Sequence, residues 1–134
     1  MSDPTLELQA ALVSKLKADS GVAAIVGARV YGEIPNNPTF PYVSLGPVQV
    51  LPDKAECIDG TEVFYQIDGW ARDPTFPKSK QLSKAIVAAL DDQSITVSNY
   101  AVIVAEISSI NHLPDPDGIT SHCALSFRFL IQLA

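Results

Sequence analysis

The sequence predicts an α+β fold, in which a mainly antiparallel β-sheet of about five strands carries two helices packed on one face. Apolar residues recur at helical spacing near the start of the chain and again near residue 80, whereas alternating apolar and polar residues fill most of the remainder. The predicted order is helix, three strands, helix, two strands. A length of 134 residues fits one domain, 1–134, large enough to bury a core without metals or disulfides.

The first helix is predicted to begin at the start of the chain. Ser2 or Asp3 is suited to cap it, and Pro4 is suited to the first helical position. Apolar side chains then cover one broad arc at helical spacing, namely Leu6, Leu8, Leu12, Val13 and Leu16. The helix is expected to end near Ser20-Gly21, and GVAAIVGA at 21–28 is long enough for one or two turns only.

Three strands are predicted to follow. RVYGEIP at 29–35 indicates a short strand, and YVSLGPVQVL at 42–51 indicates a second, in which Gly46-Pro47 favours a bulge or an edge position. TEVFYQIDGWAR at 61–72 is expected to pair with the second strand as a hairpin. The polar segment PDKAECIDG at 52–60 is then the hairpin loop.

A second helix and a final hairpin complete the predicted fold. DPTFP at 73–77 opens a helix whose apolar positions recur at helical spacing, namely Leu82, Ala85, Ile86, Ala89 and Leu90. ITV at 95–97 and YAVIVAEISSINHL at 100–113 indicate strands, and DPDG at 115–118 indicates a turn. The last strand has the clearest alternation, with apolar side chains on one side: Ile119, Cys123, Leu125, Phe127, Phe129, Ile131 and Leu133.

Charge and composition disfavour several classes of protein. The net charge of −6 and the pI of about 4.6 disfavour a protein that grips nucleic acid, because such proteins rely on clustered Lys and Arg. No apolar run approaches the length of a membrane-spanning helix, so we expect no membrane partner. Cys57 and Cys123 are too few for a disulfide framework, and we expect free thiols in a protein made in the cytoplasm.

No group of residues in the sequence has the pattern of a catalytic or metal site. Ser121 and His122 are adjacent on a strand, so their side chains point to opposite faces. His112 and His122 fall on strands joined by a short turn and are expected near each other, but two ligands are fewer than zinc needs. No glycine-rich phosphate loop is present. We therefore predict neither an enzyme nor a site for a metal or cofactor.

The strand at 61–72 has two faces that both carry large apolar residues. Val63, Tyr65, Ile67 and Ala71 lie on one face; the other face carries Phe64, Gln66, Asp68 and Trp70. Other strands are expected to add to this second face Val102, Val104, Ile110, Ala124, Leu130, Glu106, Arg128 and Gln132. Apolar residues among chargeable ones are typical of subunit interfaces. The predicted interface residues are Phe64, Asp68, Trp70, Glu106 and Arg128. The alternative is that the sheet curls over its own loop or a third layer.

Several local signatures together resemble one known family. They are DPTLELQAALVSKLKAD, VGARVYGEIP followed by FPYVSLGP, CIDGTEVFYQIDGWAR, and the ending DPDGITSHCALSFRFLIQ. The combination spans nearly the whole chain and resembles the tail-completion proteins of long-tailed phages, which prophages and gene transfer agents also encode. The resemblance implies a tail terminator or tail-to-head joining protein, similar to the terminators of lambda-like siphophages. Those proteins form a six-membered ring that caps the tail tube.

The resemblance also implies partners and a place in the particle. The expected partners are other copies of the chain in a hexameric ring, the tail-tube protein and the head connector or stopper protein. DNA is expected to pass through the ring without specific binding. The protein would be made in the bacterial cytoplasm and incorporated into the virion at the head-proximal end of the tail. The alternative is a tail-assembly factor outside the virion, or a small protein-binding module.

The loop at 52–60 is rich in acidic residues. Asp53, Glu56 and Asp59, with Glu62 just beyond, stand against the single Lys54. Because basic side chains would hold a passing polyanion, acidic ones suit a DNA channel. We predict that Asp53, Glu56 and Asp59 lie at the channel or at the tube-facing rim of the ring. The alternatives are an ordinary solvated loop, or a loop that docks onto the tube or connector.

Overall fold

The computed structural model describes residues 2–53, 60–73 and 75–134. Within these ranges the helices are α1 (Thr5–Ala18), α2 (Ser20–Val26) and α3 (Pro77–Leu90). The strands are β1 (Val30–Tyr31), β2 (Tyr42–Asp53), β3 (Gly60–Ala71), β4 (Tyr100–Pro114) and β5 (Ser121–Leu133). The sheet order is β1-β2-β3-β5-β4, with β1 parallel to β2 and all other neighbours antiparallel. The α+β class is confirmed, with one short helix more than predicted.

The boundary between α1 and α2 is set by one aspartate. The backbone of Asp19 is extended, which ends α1 two residues before the predicted point, and its Oδ2 accepts a hydrogen bond of 3.0 Å from the Val22 amide to cap α2. At the start of α1, Asp3 Oδ1 accepts a hydrogen bond of 2.9 Å from the Thr5 amide. Pro4 therefore stands at the cap position and not inside the helix.

One core joins the helices to one face of the sheet. α1 contributes Leu8, Leu12 and Leu16, all fully buried, whereas Leu6, predicted to lie on the same apolar arc, is 76% exposed. α3 begins at Pro77, the last residue of the segment 73–77 that was predicted to open it. Asp73 Oδ2 accepts a hydrogen bond of 3.0 Å from the Lys78 amide at that end of the helix. The fully buried apolar residues of β2, β3 and β5 that face these helices are Val43, Val63, Ile67, Ala71, Cys123, Leu125, Phe127, Phe129 and Ile131.

Bulges change which residues face the core. The register shift between Leu45 and Val48 confirms the bulge predicted at Gly46-Pro47. β4 has two further shifts, between Val102 and Val104 and between Ile107 and Ser109. Each inserted residue reverses the alternation. Val102 therefore pairs with Ile131, and Ile110 pairs with Leu125, on the helix side of the sheet. Their predicted place on the opposite face is wrong.

Smaller corrections concern the ends of the predicted strands. ITV at 95–97 forms no strand beyond an isolated bridge between Val97 and Tyr100, although Ile95 and Val97 are buried. Ile119 and Leu133, at the two ends of the last alternating segment, are 49% and 55% exposed and lie outside the core. No helix in the described part of the chain is long and apolar enough to span a membrane.

The β4 edge of the sheet is partly covered by the turn after α3. The Asp92 amide donates a hydrogen bond of 2.8 Å to the Ala105 carbonyl, and the Ile107 amide donates one of 2.9 Å to Asp91 Oδ1. These bonds occupy backbone groups in the middle of β4 that a further strand would need. An edge covered in this way resists strand addition at its centre.

A test of the packing between α3 and the sheet follows from Gly69. A Cβ at this position would lie 2.5 Å from Cys123 Sγ and 2.8 Å from Leu82 Cδ2. We expect Gly69→Ala to lower the free energy of unfolding by about 1–3 kcal/mol, measured by urea denaturation, because overpacking forces neighbours to move. In a Cys123→Ala background the additional loss should be smaller, since the nearest atom is gone. An equal loss in both backgrounds would contradict this packing.

Candidate interface on the outer face of the sheet

The face of the sheet that points away from the helices is here called the outer face. Its centre is formed by alternate residues of β3 and β5, which pair in antiparallel register. Phe64 pairs with Arg128, which also pairs with Glu106 on β4; Trp70 pairs with His122. Paired residues share a face. Phe64, Asp68, Trp70, Glu106 and Arg128 therefore all lie on the outer face.

One end of the outer face is an aromatic stack. The rings of Trp70 and His122 are 3.9 Å apart between centroids and inclined by only 8°, and Tyr42 lies on the other side of Trp70 at 6.2 Å. The indole Nε1 of Trp70 donates a hydrogen bond of 3.0 Å to Ser44 Oγ. Trp70 is thus held on three sides by its own chain.

Asp68 is the buried polar residue beside this stack. It is 5% exposed, and its Oδ1 lies 2.6 Å from His122 Nε2 and accepts a hydrogen bond of 2.8 Å from Gln66 Nε2. A Cβ at Gly46 would lie 2.5 Å from Asp68 Oδ2, so a glycine is needed for this close approach. Asp68 therefore orients His122 within the monomer, because a buried carboxylate requires such partners.

The other end of the outer face is an ion-pair network. Arg128 Nε donates a hydrogen bond of 2.6 Å to Glu62 Oε2, and its Nη1 donates one of 2.9 Å to Glu106 Oε1. These two carboxylates raise the pKa of Arg128 above its usual value. The network holds two negative charges and one positive charge. Phe64, beside it on β3, has no aromatic partner ring in the described part of the chain.

The residues considered for chemistry are separated by the sheet. His112 pairs with Cys123 and His122 pairs with Leu113, so the two histidines lie on opposite faces and the expectation that they approach each other is wrong. Among the described residues no group of three potential metal ligands occurs. Burial lowers the pKa of His112 and raises the pKa of the Cys123 thiol to about 11. Cys57 lies outside the described residues.

The acidic loop is described only at its ends. Asp53 ends β2 and pairs with Gly60 at the start of β3, whereas Glu56 and Asp59 lie outside the described residues. Glu62, counted with the loop charges in the sequence, is instead bound to Arg128 on the outer face.

Four residues of the outer face were not predicted to lie on it. They are Tyr42, Ser44, Glu62 and His122. Their roles depend on the register of β2, β3 and β5, which brings together positions far apart in sequence. A prediction that paired Trp70 with His122 in register would have found the stack, because alternation alone places both on the same face.

The family is given by a match of the sequence, and two solved structures have a similar fold. The sequence matches the family described as tail completion protein gp17 over residues 10–132. A chain from the virion of a native gene transfer agent (GTA) particle superposes with a TM-score of 0.88 at 25% identity, covering 98% of each chain. The gp17 protein of bacteriophage SPP1 superposes with a TM-score of 0.59 at 18% identity, covering 98% of this chain and 97% of that one.

The likeness to the SPP1 protein shows the fold alone. A search of curated proteins found no match. The family match covers most of the chain and agrees with the resemblance carried by the sequence signatures. This protein therefore belongs to the tail completion protein gp17 family, whose members are structural proteins of phage tails.

Proposed function

We propose that this protein is a tail terminator, or head-tail joining protein, that forms a closed ring at the head-proximal end of the tail. The ring caps the tail tube and connects it to the head connector or stopper protein. The family membership and the likeness to a chain of a gene transfer agent virion support incorporation into the particle. Six subunits is the number that the family resemblance implies. The proposed role needs no catalysis, cofactor or metal.

The main support for a ring is the composition of the outer face, where apolar residues lie beside ion pairs. Phe64 and Leu51 stand beside the Arg128 network, and Leu51 is 37% exposed. Apolar residues bordered by preorganised ion pairs are typical of surfaces that another protein covers. Asp91 and Asp92 form hydrogen bonds with backbone groups in the middle of β4, so a neighbouring subunit cannot add a strand there. The outer face is therefore better suited to a contact between subunits than the β4 edge.

The hairpin between β2 and β3 has a proposed role of its own. Asp53, Glu56 and Asp59 line the channel or the tube-facing rim, where their charges repel the DNA backbone and prevent it from sticking. The connection has few basic residues to counter this, since Lys54 is the only one between Asp53 and Gly60. Glu62 is not part of this group, because it binds Arg128.

The ring itself is tested by a reconstruction of the particle. We expect a single ring of this protein between the tail tube and the head connector, and we expect tails made without it to remain unjoined. Electron cryomicroscopy of particles and of mutant lysates measures both. Joined particles that lack the protein would contradict the proposal and would favour an assembly factor outside the virion.

The structure separates two aromatic residues of the outer face that the sequence treats alike. Trp70→Ala should lower the free energy of unfolding by about 2 kcal/mol or more, because it removes the stack on His122 and the bond to Ser44. Phe64→Ala should cost less in folding but weaken assembly by about 2 kcal/mol or more, as truncated interface aromatics do. Thermal unfolding and counts of joined particles measure the two effects. Normal joining with Phe64→Ala would count against the interface.

The acidic hairpin is tested by reversing its charge. Replacing Asp53, Glu56 and Asp59 together with Lys should give joined particles that eject DNA more slowly, because each added cation attracts phosphate. Time-resolved ejection from purified particles measures the rate, and replacement of the same residues with Asn and Gln controls for loss of negative charge alone. Unjoined tails would indicate docking instead. Normal joining with normal ejection would leave the hairpin without a role in the channel.

A further inference from the structure

We propose that the outer face of each subunit is covered by the lysine-bearing surface of α3 from the next copy, so that neighbouring copies meet head to tail. The inference rests on the proposed ring and specifies which surface fills the interface. It is carried by two surfaces of opposite charge on one chain: the carboxylates around Arg128, and the exposed side of α3.

The outer face has an excess of negative charge at its exposed end. Glu62 and Glu106 share the single guanidinium of Arg128, and their side chains are 25% and 49% exposed. The network keeps both carboxylates in fixed positions, so less conformational entropy is lost when a partner cation binds. A lysine placed against Glu106 would complete the pairing of charges without breaking the bonds already present.

The exposed side of α3 has the complementary charge. The helix contains Lys78, Lys80 and Lys84 but no Asp or Glu between Pro77 and Leu90, in a chain of net charge −6. Lys80, Lys84 and Ala88 follow one another at four-residue spacing and are all exposed. Lys80 and Lys84 form no ion pair with any carboxylate in the described part of the chain. Ala88 leaves room for a close approach of the helix.

The other long helix is a poorer match. α1 has Glu7 in its first turn and Lys15 and Lys17 in its last turn, so its charge is mixed along its length. Its exposed groove is lined by Leu6, Ala10 and Val13 and offers no row of cations at regular spacing. Charge complementarity therefore selects α3 as the surface that faces Glu62 and Glu106.

The arrangement has a consequence for symmetry. Two different surfaces of the chain meet, so the contact is heterologous. Heterologous contacts form rings when the rotation closes, whereas two-fold dimers bury the same surface on both partners. An outer face packed on another outer face would place carboxylates against carboxylates. The charges disfavour that dimer.

The contact is tested with cysteines at neutral positions near the charges. Ser126→Cys lies on the outer face, two residues before Arg128, and Ala88→Cys lies one turn beyond Lys84. Both are placed in a Cys57→Ser background; Cys123 is retained because its thiol is fully buried. Tails are purified from producing cells and treated with a short bis-maleimide crosslinker. Denaturing gels then show which chains are joined.

We expect the double variant to give a ladder of crosslinked copies, and each single variant to give monomer only. Ser126→Cys combined with Ala10→Cys on α1 is the matched control and should not form a ladder. Homodimers from Ser126→Cys alone would overturn the proposal in favour of a two-fold contact. A ladder with Ala10→Cys but not with Ala88→Cys would assign the contact to α1. Tails that contain the protein but give no ladder would overturn this inference alone, whereas tails without the protein would contradict the proposed function.

A charge reversal gives an independent measurement. Lys80→Glu with Lys84→Glu should lower the yield of joined particles about tenfold or more, because like charges would then meet across the contact. Lys15→Glu with Lys17→Glu on α1 changes the net charge equally and should have little effect. Unchanged melting temperatures would show that both double variants fold. Equal losses of joining in the two variants, or no loss in the first, would overturn the role of α3.

Discussion

The pairing of β3 with β5 is the constraint on which both faces of the sheet depend. The two strands pair without interruption from Thr61 opposite Ile131 to Ala71 opposite Ser121. This register places Phe127 and Phe129 under the helices. Arg128, which lies between them in the sequence, points to the outer face. A slip of one residue would turn the arginine into the core and the two phenylalanines into solvent. The cost of burying that charge keeps the register unique.

Alternation in the sequence is sufficient to predict these two strands but not β4. In the last strand, buried and half-buried residues alternate from Cys123 to Phe129, and Leu130 and Ile131 are both buried. The predicted core residues between Cys123 and Ile131 do face the helices. In β4 the two bulges interrupt the alternation, and both Val102 and Ile110 change sides. The first inserted residue, Ile103, lies within the apolar run AVIVA, so no polar residue marks it. The second, Ser108, lies beside Ser109, and the pair does not show which serine is inserted. Bulges are settled by contacts with the partner strand, which one segment alone does not reveal.

The sequence indicates which residues share the outer face, but it does not show that the two ends of this face differ. Trp70 and Phe64 look equivalent in the sequence, yet Trp70 is bound by Ser44, His122 and Tyr42 of its own chain. These partners lie on two other strands. Ser44 is 26 residues before Trp70 in the sequence, and His122 is 52 residues after it. The aromatic end therefore stabilises the sheet itself. The end near Arg128 has an excess of negative charge and half-buried apolar surface, and it is the part of the face that the proposed interface uses.

In the proposed ring, the division of the outer face affects when the subunits would join. Exposed ion pairs contribute little free energy individually, so a single contact between α3 and the carboxylates around Arg128 would be weak between free copies. In the proposed ring, the end of the tail tube would hold several copies side by side at high effective concentration, and each contact would then form without a further loss of translational freedom. In the proposed ring, the same charges would make a single contact weak and the closed ring of contacts stable. A strongly apolar interface would instead favour the joining of free copies in solution.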